Sequence, residues 1–145
     1  MGRPDGRRLL ADSYPVTVTV EPRFQDLDPL GHINNVAMAG IFEAGRIKFN
    51  HLNGTAGLPR APGDRLLIAS LAINYIAEAH FPGLLHIANG IKRIGTASWE
   101  IASAAFQNDI CVATCDCTLV YTDTQGARAL RPEFVALLEK VRLKD

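Results

Sequence analysis

The stretch Arg23–Asn35, with the sequence RFQDLDPLGHINN, lies where a strand pattern gives way to a helical one. Before it, the segment VTVTV at residues 16–20 alternates apolar and polar residues, as a half-buried strand does. After it, residues 34–54 (NNVAMAGIFEAGRIKFNHLNG) repeat with helical spacing, and Asn34 or Asn35 can cap the start of that helix. The many alanines and glycines suit a helix that is buried closely. The stretch therefore predicts a strand, a turn and a buried helix.

The helix pattern contains two stripes. One is formed by Ile41, Gly45, Phe49 and Leu52, as in the apolar side of an amphipathic helix. The second, polar stripe is formed by Glu43, Arg46 and Asn50.

Four further period-two segments follow a loop rich in proline and glycine. They are Arg65–Ala79, Leu84–Ile94, Ser98–Phe106 and Ile110–Thr122. The links between them are too short for crossover helices, so the strands are expected to be antiparallel. A terminal helix is predicted in residues 131–145, with proline in its first turn. The fold class is therefore α+β, with a helix buried against one curved antiparallel sheet.

Length and composition limit the possible functions. The chain has 145 residues, which fits a single domain over residues 1–145, with residues 1–12 expected to form a flexible tail. Fifteen basic residues balance fifteen acidic ones, so the net charge indicates neither a nucleic-acid nor a membrane partner. No apolar run approaches the roughly 20 residues of a membrane-spanning helix, and the first residues lack a secretion signal. We expect a soluble, cytoplasmic protein.

The three cysteines, Cys111, Cys115 and Cys117, are odd in number and lie within one short stretch, which is unlike a disulfide framework. Their spacing along a strand would point all three thiols to one face of the sheet. A metal would need a fourth ligand from elsewhere, so packing in the core is the simpler interpretation and no metal site is predicted.

The polar groups of the opening stretch allow two interpretations. Asp26 and Asp28 precede proline and glycine, so their carboxylates could simply bond the backbone of a turn or the start of the helix. However, His32, Asn34 and Asn35 crowd into the same short segment, where an apolar strand meets a buried helix. Polar groups in such a place need partners or a purpose, which favours a site.

These residues carry a family resemblance. The pattern FxDxDxxGHxNN, followed by FEAGR, resembles the start of hotdog-fold acyl-CoA thioesterases related to 4-hydroxybenzoyl-CoA thioesterase. The order of predicted elements agrees, as do PGD before the second strand, IKRIGTASWE in the middle strands and RPE before the last helix. The resemblance implies a five-stranded sheet wrapped around a central helix. It also implies hydrolysis of an acyl-CoA or acyl-carrier-protein thioester without a cofactor, by a homodimer or homotetramer.

The resemblance also implies roles for residues of the first motif. Asp28 matches the aspartate that acts as nucleophile or general base. The backbone N–H groups of Asn35, Val36 and Ala37 match the helix start that polarises the thioester carbonyl. Many relatives have a tyrosine shortly after the asparagine pair, where this chain has Met38. The pocket wall is therefore expected to be less polar.

Other motif residues have alternative roles. Asp26 is expected to shape the turn, and Asn34 to cap the helix and hold the loop. His32 could orient the site, act on a proton or serve as a structural hydrogen-bonding group. Glu43 could form an ion pair with Arg46, three residues later, or face the site of a partner subunit, as in some relatives.

Basic side chains could bind the phosphates of coenzyme A. The candidates are Lys92 and Arg93 in a middle strand and Arg128, with Arg131, near the last turn. Strand alternation predicts that Lys92 and Arg93 lie on opposite faces, so at most one of the two would serve a given groove.

Two other functions remain possible. The first is an acyl-CoA-binding protein that has the fold but no turnover, since a fold does not establish a function. The second is a hydroxyacyl-thioester dehydratase, because HFPG at residues 80–83 resembles the histidine motif of those enzymes. That motif should precede the central helix, whereas His80 lies between two predicted strands, so we interpret HFPG as turn chemistry.

Overall fold

One antiparallel sheet forms most of the protein. The computed structural model describes residues 3–144. The five long strands, which run in the spatial order β1-β3-β4-β5-β2, are β1 (Val16–Val20), β2 (Arg65–Tyr75), β3 (Leu85–Ile94), β4 (Ser98–Gln107) and β5 (Ile110–Asp123). A short strand, β6 (Gly126–Ala127), pairs with the end of β5. The two helices are α1 (Asn35–Asn53) and α2 (Pro132–Glu139).

The long helix α1 packs against one face of the sheet, which we call the inner face. Phe42 and Phe49 are fully buried there. Gly45 lets the helix approach β3 closely, because a Cβ atom at this position would lie 2.7 Å from Cγ2 of Ile87. The α+β architecture predicted from the sequence, a sheet wrapped around a central helix, is confirmed.

The buried side of α1 differs from the predicted stripe at two positions. Leu52, in the last turn of the helix, is 66% exposed, whereas Arg46 is only 6% exposed. The buried residues of α1 are Met38, Ile41, Phe42, Gly45, Arg46 and Phe49. Arg46 lies at the margin of this arc, where the methylene part of a long basic side chain can cover apolar surface.

The opposite, outer face of the sheet is covered by the first residues of the chain. This segment contains two short 3-10 turns, Gly6–Leu9 and Ala11–Ser13. Arg8 donates from Nη2 to Oδ1 of Asp116 at 2.6 Å and from Nε to the hydroxyl of Tyr14 at 2.9 Å. Tyr14 packs on Ala88, Ala102 and Ala104, which are fully buried. The described part of the predicted tail, residues 3–12, thus contributes to the outer face, and residues 1–2 lie outside the described range.

Irregularities in the sheet alter two further predictions. The register of β4 and β5 shifts near Phe106, so Cys111 packs in the outer cluster with Tyr14, whereas Cys115 and Cys117 lie in the inner clusters. The expectation that all three thiols share a face is therefore wrong. Burial raises the pKa of the Cys115 thiol to about 12, which keeps it protonated and inert. Residues 3–144 contain no group of three or more His, Cys, Asp or Glu side chains placed to hold a metal ion.

Two elements are shorter than the sequence predicts. β2 ends at Tyr75, and residues 76–84 form a loop that Gln107 clamps. The side-chain amide of Gln107 accepts from the backbone N–H of His80 and donates to its carbonyl, both at 2.8 Å. α2 ends at Glu139, and the chain then runs beside β3, where the N–H of Ile91 donates to the Val141 carbonyl. Within the described residues, neither helix is long and apolar enough to cross a membrane.

Candidate active site

The turn between β1 and α1 is built around Asp26. This buried carboxylate accepts from the backbone N–H of Arg23 at 2.7 Å and from its guanidinium at 3.0 Å. The hydrogen bond from the Arg23 side chain lowers the pKa of Asp26, against the opposing effect of burial. The Asp26 carbonyl accepts from the N–H of Asn34 at 2.7 Å. Asp26 therefore joins the two ends of the turn.

Asp28 lies within the same turn, with one carboxylate oxygen engaged. Its Oδ1 accepts from the backbone N–H groups of Leu30 at 2.9 Å and His32 at 3.1 Å. Gly31 makes this tight geometry possible, since its φ of +83° is in the left-handed region. The second oxygen, Oδ2, has no hydrogen-bond donor within residues 3–144. Asp28 is therefore a rigidly held carboxylate with one oxygen available for chemistry.

The start of α1 follows at once, and its backbone N–H groups are not equivalent. The side chain of Asn34 caps the helix, because its Oδ1 accepts from the N–H of Val36 at 2.7 Å and of Ala37 at 3.4 Å. In the described chain, the N–H of Asn35 has no acceptor. Of the three predicted donors, Asn35 is thus the one left free at the positive end of the helix dipole.

A cavity of about 320 Å³ brings these groups together. Its lining includes Asp28, His32, Asn35 and Met38 from the predicted site. Most of the rest comes from the end of β2 and the loop after it, including two residues that the sequence analysis missed, Tyr75 and Glu78. The cavity is therefore lined both by the residue that carries the predicted carboxylate and by the residue that carries the free helix N–H group.

Tyr75 supplies the phenol that the motif lacks. Its hydroxyl donates to the carbonyl of Asn35 at 2.8 Å, and the side chain is half exposed beside Met38 in the cavity. Burial raises the pKa of Tyr75, so the hydroxyl keeps its proton and remains a donor. The wall of the cavity is therefore more polar than the sequence analysis expected from Met38 alone. The only signal in the sequence was a tyrosine within the predicted strand Arg65–Ala79.

His32 contacts the loop that follows β2. Its Nε2 lies 3.2 Å from Oε2 of Glu78, and its ring stacks edge-to-face on His80 at 5.2 Å between centroids. The backbone reinforces this contact, because Ile33 donates its N–H to the carbonyl of Ala79 at 2.8 Å. His80, from the HFPG segment, therefore supports the turn from outside the central helix.

Glu43 does not line the cavity. It is exposed on α1 and forms no ion pair with Arg46, or with any other side chain that the structure describes. Of the two roles predicted for Glu43, only contact with the site of a second subunit therefore remains.

The predicted phosphate contacts lie at the other end of the sheet. Lys92 and Arg93 are near the end of β3, about 20 Å along the strand from its start beside the turn. Both approach Glu100, at 3.5 Å and 3.7 Å, because the register shift after Ile91 breaks the alternation that would have separated them. Within a single chain, Lys92 and Arg93 are not brought to the cavity.

Arg128 belongs to an ionic cluster around the buried side chain of Asp64, just before β2. Its Nη1 lies 3.4 Å from Asp64, and Nη2 of Arg131 lies 3.5 Å from the same carboxylate. The hydroxyl of Tyr121 donates to Asp64 at 2.8 Å. This hydrogen bond, with the two guanidinium charges, outweighs burial and lowers the pKa of Asp64. The cluster ties the loop before β2 to the segment before α2.

The geometry of the cavity suits attack on a carbonyl. The unbonded oxygen of a fixed carboxylate can attack directly or take a proton from water. A free N–H at a helix start can stabilise the carbonyl oxygen as it becomes negative. A model of the thioesterase-like superfamily matches residues 22–140, most of the chain and all of this site. The chain belongs to the thioesterase-like superfamily.

Solved structures of thioesterases share this fold. A predicted thioesterase from Bacillus stearothermophilus superposes with a TM-score of 0.78 at 24% identity, over 89% of this chain and 97% of that one. A thioesterase from Thermus thermophilus, complexed with coenzyme A and Zn, gives 0.76 at 21% identity, over 88% and 95%. A 4-hydroxybenzoyl-CoA thioesterase mutant complexed with 4-hydroxybenzoyl-CoA gives 0.74 at 17%, over 85% and 97%. The hotdog fold is thereby established. No protein of curated function matches the sequence.

Proposed function

We propose that this superfamily member is an acyl-CoA thioesterase in which Asp28 generates the attack on the thioester. One observation carries the proposal: Oδ1 of Asp28 is fixed by two N–H groups, Oδ2 has no donor within residues 3–144, and Asp28 lines the same cavity as Asn35, whose N–H is uncapped. A carboxylate that only closed the turn would not need a residue with an unpaired N–H group in the same cavity. The substrate is an acyl-CoA or an acyl-carrier-protein thioester, and no metal or cofactor takes part.

The reaction can be written with Asp28 as general base. Asp28 takes a proton from water, the resulting hydroxide adds to the thioester carbon, and the N–H of Asn35 donates to the carbonyl oxygen as it becomes negative. The tetrahedral intermediate then expels the thiolate and leaves a carboxylic acid. As nucleophile, Asp28 would instead form a mixed anhydride that water hydrolyses, with the same products.

A second copy of the chain would complete the binding site. β2 is an edge strand in which Leu67, Ile68 and Leu71 are each more than 40% exposed. Exposed apolar side chains on an unpaired edge strand are unfavourable. Antiparallel pairing of two β2 strands about a two-fold axis puts the Arg65 end of one beside the Tyr75 end of the other. We therefore propose a homodimer, with further association to a tetramer possible.

This arrangement gives the distant basic residues a role. Arg128 and Arg131 lie at the Arg65 end of β2, so in the dimer they approach the cavity of the other subunit. There they could contact the phosphates of coenzyme A, as could Lys92 or Arg93 at the same end of the sheet. Glu43, on the exposed side of α1, would face the neighbouring subunit.

The test is the release of free thiol from short, medium, long and aromatic acyl-CoAs by the wild type and Asp28→Asn. Asparagine preserves the oxygen that holds the turn, so the fold should persist while kcat/KM falls at least ~100-fold, or about 2.7 kcal/mol of transition-state stabilisation. Asp109→Asn is the matched control, because Asp109 is exposed between β4 and β5 at a φ of 63° that asparagine tolerates.

A reaction without substrate corrects for the protein's own thiols. Equal rates for the wild type and Asp28→Asn would refute the role of Asp28. Binding of acyl-CoA without any turnover would instead identify a binding protein.

A further inference from the structure

The imidazole of His32 is paired with a carboxylate that the motif does not contain. Glu78 comes from the loop after β2, and its Oε2 lies 3.2 Å from Nε2 of His32. Both side chains line the cavity that holds Asp28. The His32 side chain is 29% exposed and that of Glu78 is 65% exposed, so the pair connects the cavity to solvent.

The position of His32 is fixed from several sides. Its backbone N–H donates to Asp28, its ring stacks on His80, and the adjacent Ile33 is bonded to Ala79. The titratable groups in contact with the imidazole are Glu78 and His80 from the loop after β2, and Asp28, from its own turn, lines the same cavity. Because Nε2 faces Glu78, Nδ1 is the ring nitrogen available to a group in the cavity.

Resting on the proposed function, we propose that His32 is the general acid that protonates the departing sulfur and that Glu78 is the residue that positions its ring. In the imidazolium form both ring nitrogens carry protons, so Nε2 can donate to Glu78 while Nδ1 carries the proton that is transferred. As the carbon–sulfur bond breaks, its electron pair goes to sulfur and a proton passes from Nδ1 to the thiolate. The ring then regains a proton from solvent, and the proton that Asp28 took from water is released.

This assignment predicts a dependence on the leaving group. An alkyl thiolate such as that of coenzyme A gains from protonation, whereas an aromatic thiolate carrying a nitro group is stable without it. Removing Glu78 or His32 should therefore slow hydrolysis of an acyl-CoA and leave an acyl 4-nitrothiophenyl ester almost unaffected. A merely structural role would slow both substrates equally.

The experiment compares the wild type, Glu78→Gln and His32→Gln on these two substrates with the same acyl group. We expect kcat/KM for the acyl-CoA to fall about fivefold in Glu78→Gln and at least ~20-fold in His32→Gln, with less than about a twofold change for the activated ester. Glu139→Gln is the control, because it also removes an exposed carboxylate from an ion pair, with Arg142, away from the cavity.

A second measurement is the pH profile of kcat/KM for the acyl-CoA. With a general acid, activity falls on the alkaline side as the acid loses its proton. His32→Gln should lose this limb, while Glu139→Gln should keep it.

The outcomes separate the two proposals. If the wild type hydrolyses neither substrate, the thioesterase proposal fails. If it hydrolyses both, and the Glu78 and His32 variants lose activity equally on both or keep full activity on the acyl-CoA, the assignment of His32 and Glu78 is overturned while the role of Asp28 stands.

Discussion

Replacing Gly45 by alanine tests the contact that places α1 on the sheet. A Cβ atom at this position would lie 2.7 Å from Cγ2, 2.9 Å from Cβ and 3.2 Å from Cγ1 of Ile87. All three distances are shorter than an ordinary van der Waals contact. Ile87 is fully buried near the start of β3, between Val18 and Ala105 on the neighbouring strands, so its side chain has little free space into which to move. The strain must be relieved by a shift of the helix.

Two effects of opposite sign determine the result. Alanine is favoured over glycine in a helix by about 1 kcal/mol, whereas one extra carbon in a packed core costs about 1–3 kcal/mol. Gly45→Ala should therefore be neutral to destabilising, by about 0–2 kcal/mol. Gly40 is the matched control, since it is exposed on the same helix and nothing lies within 4 Å of its added Cβ. Gly40→Ala should stabilise by about 0.5–1 kcal/mol.

The assay is urea unfolding of the wild type, the single variants Gly45→Ala, Gly40→Ala and Ile87→Ala, and the double variant Gly45→Ala with Ile87→Ala. Ile87→Ala removes two of the three clashing atoms, so the pair should couple favourably by about 0.5–3 kcal/mol. A shift of α1 also moves the N–H of Asn35, so kcat should fall in Gly45→Ala and not in Gly40→Ala. If Gly45→Ala stabilised the protein as much as Gly40→Ala, the close approach of α1 to β3 would be refuted.

Two further predictions concern the cap of α1 and stability in acid. Asn34→Ala removes the acceptor for the Val36 and Ala37 N–H groups and should cost about 1 kcal/mol in thermal unfolding, whereas Asn34→Asp keeps an acceptor and should cost little; equal losses would contradict the cap. Burial would raise the pKa of Asp116, but its bonds to Arg8 and Lys92 lower it below the ordinary value of 3.8. The stability from this carboxylate is therefore complete above pH 3.8 and is lost as the pH falls through the folded-state pKa. Urea unfolding at pH 7 and pH 3 should show a smaller acid loss in Arg8→Gln than in the wild type, and an unchanged loss would refute the pairing.

The regular part of the fold could be read from the sequence because its pattern is local. The alternation of valine and threonine in β1 and the small residues of α1 each specify an element and the face it buries. The faces of the strand side chains differ from the prediction where a register shift places an extra residue in one strand. The pattern within that strand cannot reveal the shift, because the shift depends on the neighbouring strand. For this reason Cys111 faces away from Cys115, and Lys92 and Arg93 reach the same carboxylate.

The candidate site could be predicted in part for the same reason. Asp28, His32 and Asn35 are neighbours in sequence, so the turn that carries them also brings them together. Tyr75 and Glu78 come from a strand and loop about 40 residues later, and only the folded sheet places them in the cavity. Composition could not distinguish Tyr75 from an ordinary strand residue.

The two interpretations of the Asp28 stretch, a turn and a site, are compatible because the two oxygens of the Asp28 carboxylate differ in their bonding. Oδ1 closes the turn through Leu30 and His32, as the simpler interpretation predicts. Because that bonding fixes the carboxylate, it also fixes Oδ2, which has no donor in the described part of the chain, at no extra cost in side-chain entropy. An aspartate free of the turn would lose that orientation, and one with both oxygens bonded would have no atom for attack. In the proposed mechanism, the turn is therefore what prepares Asp28 for catalysis.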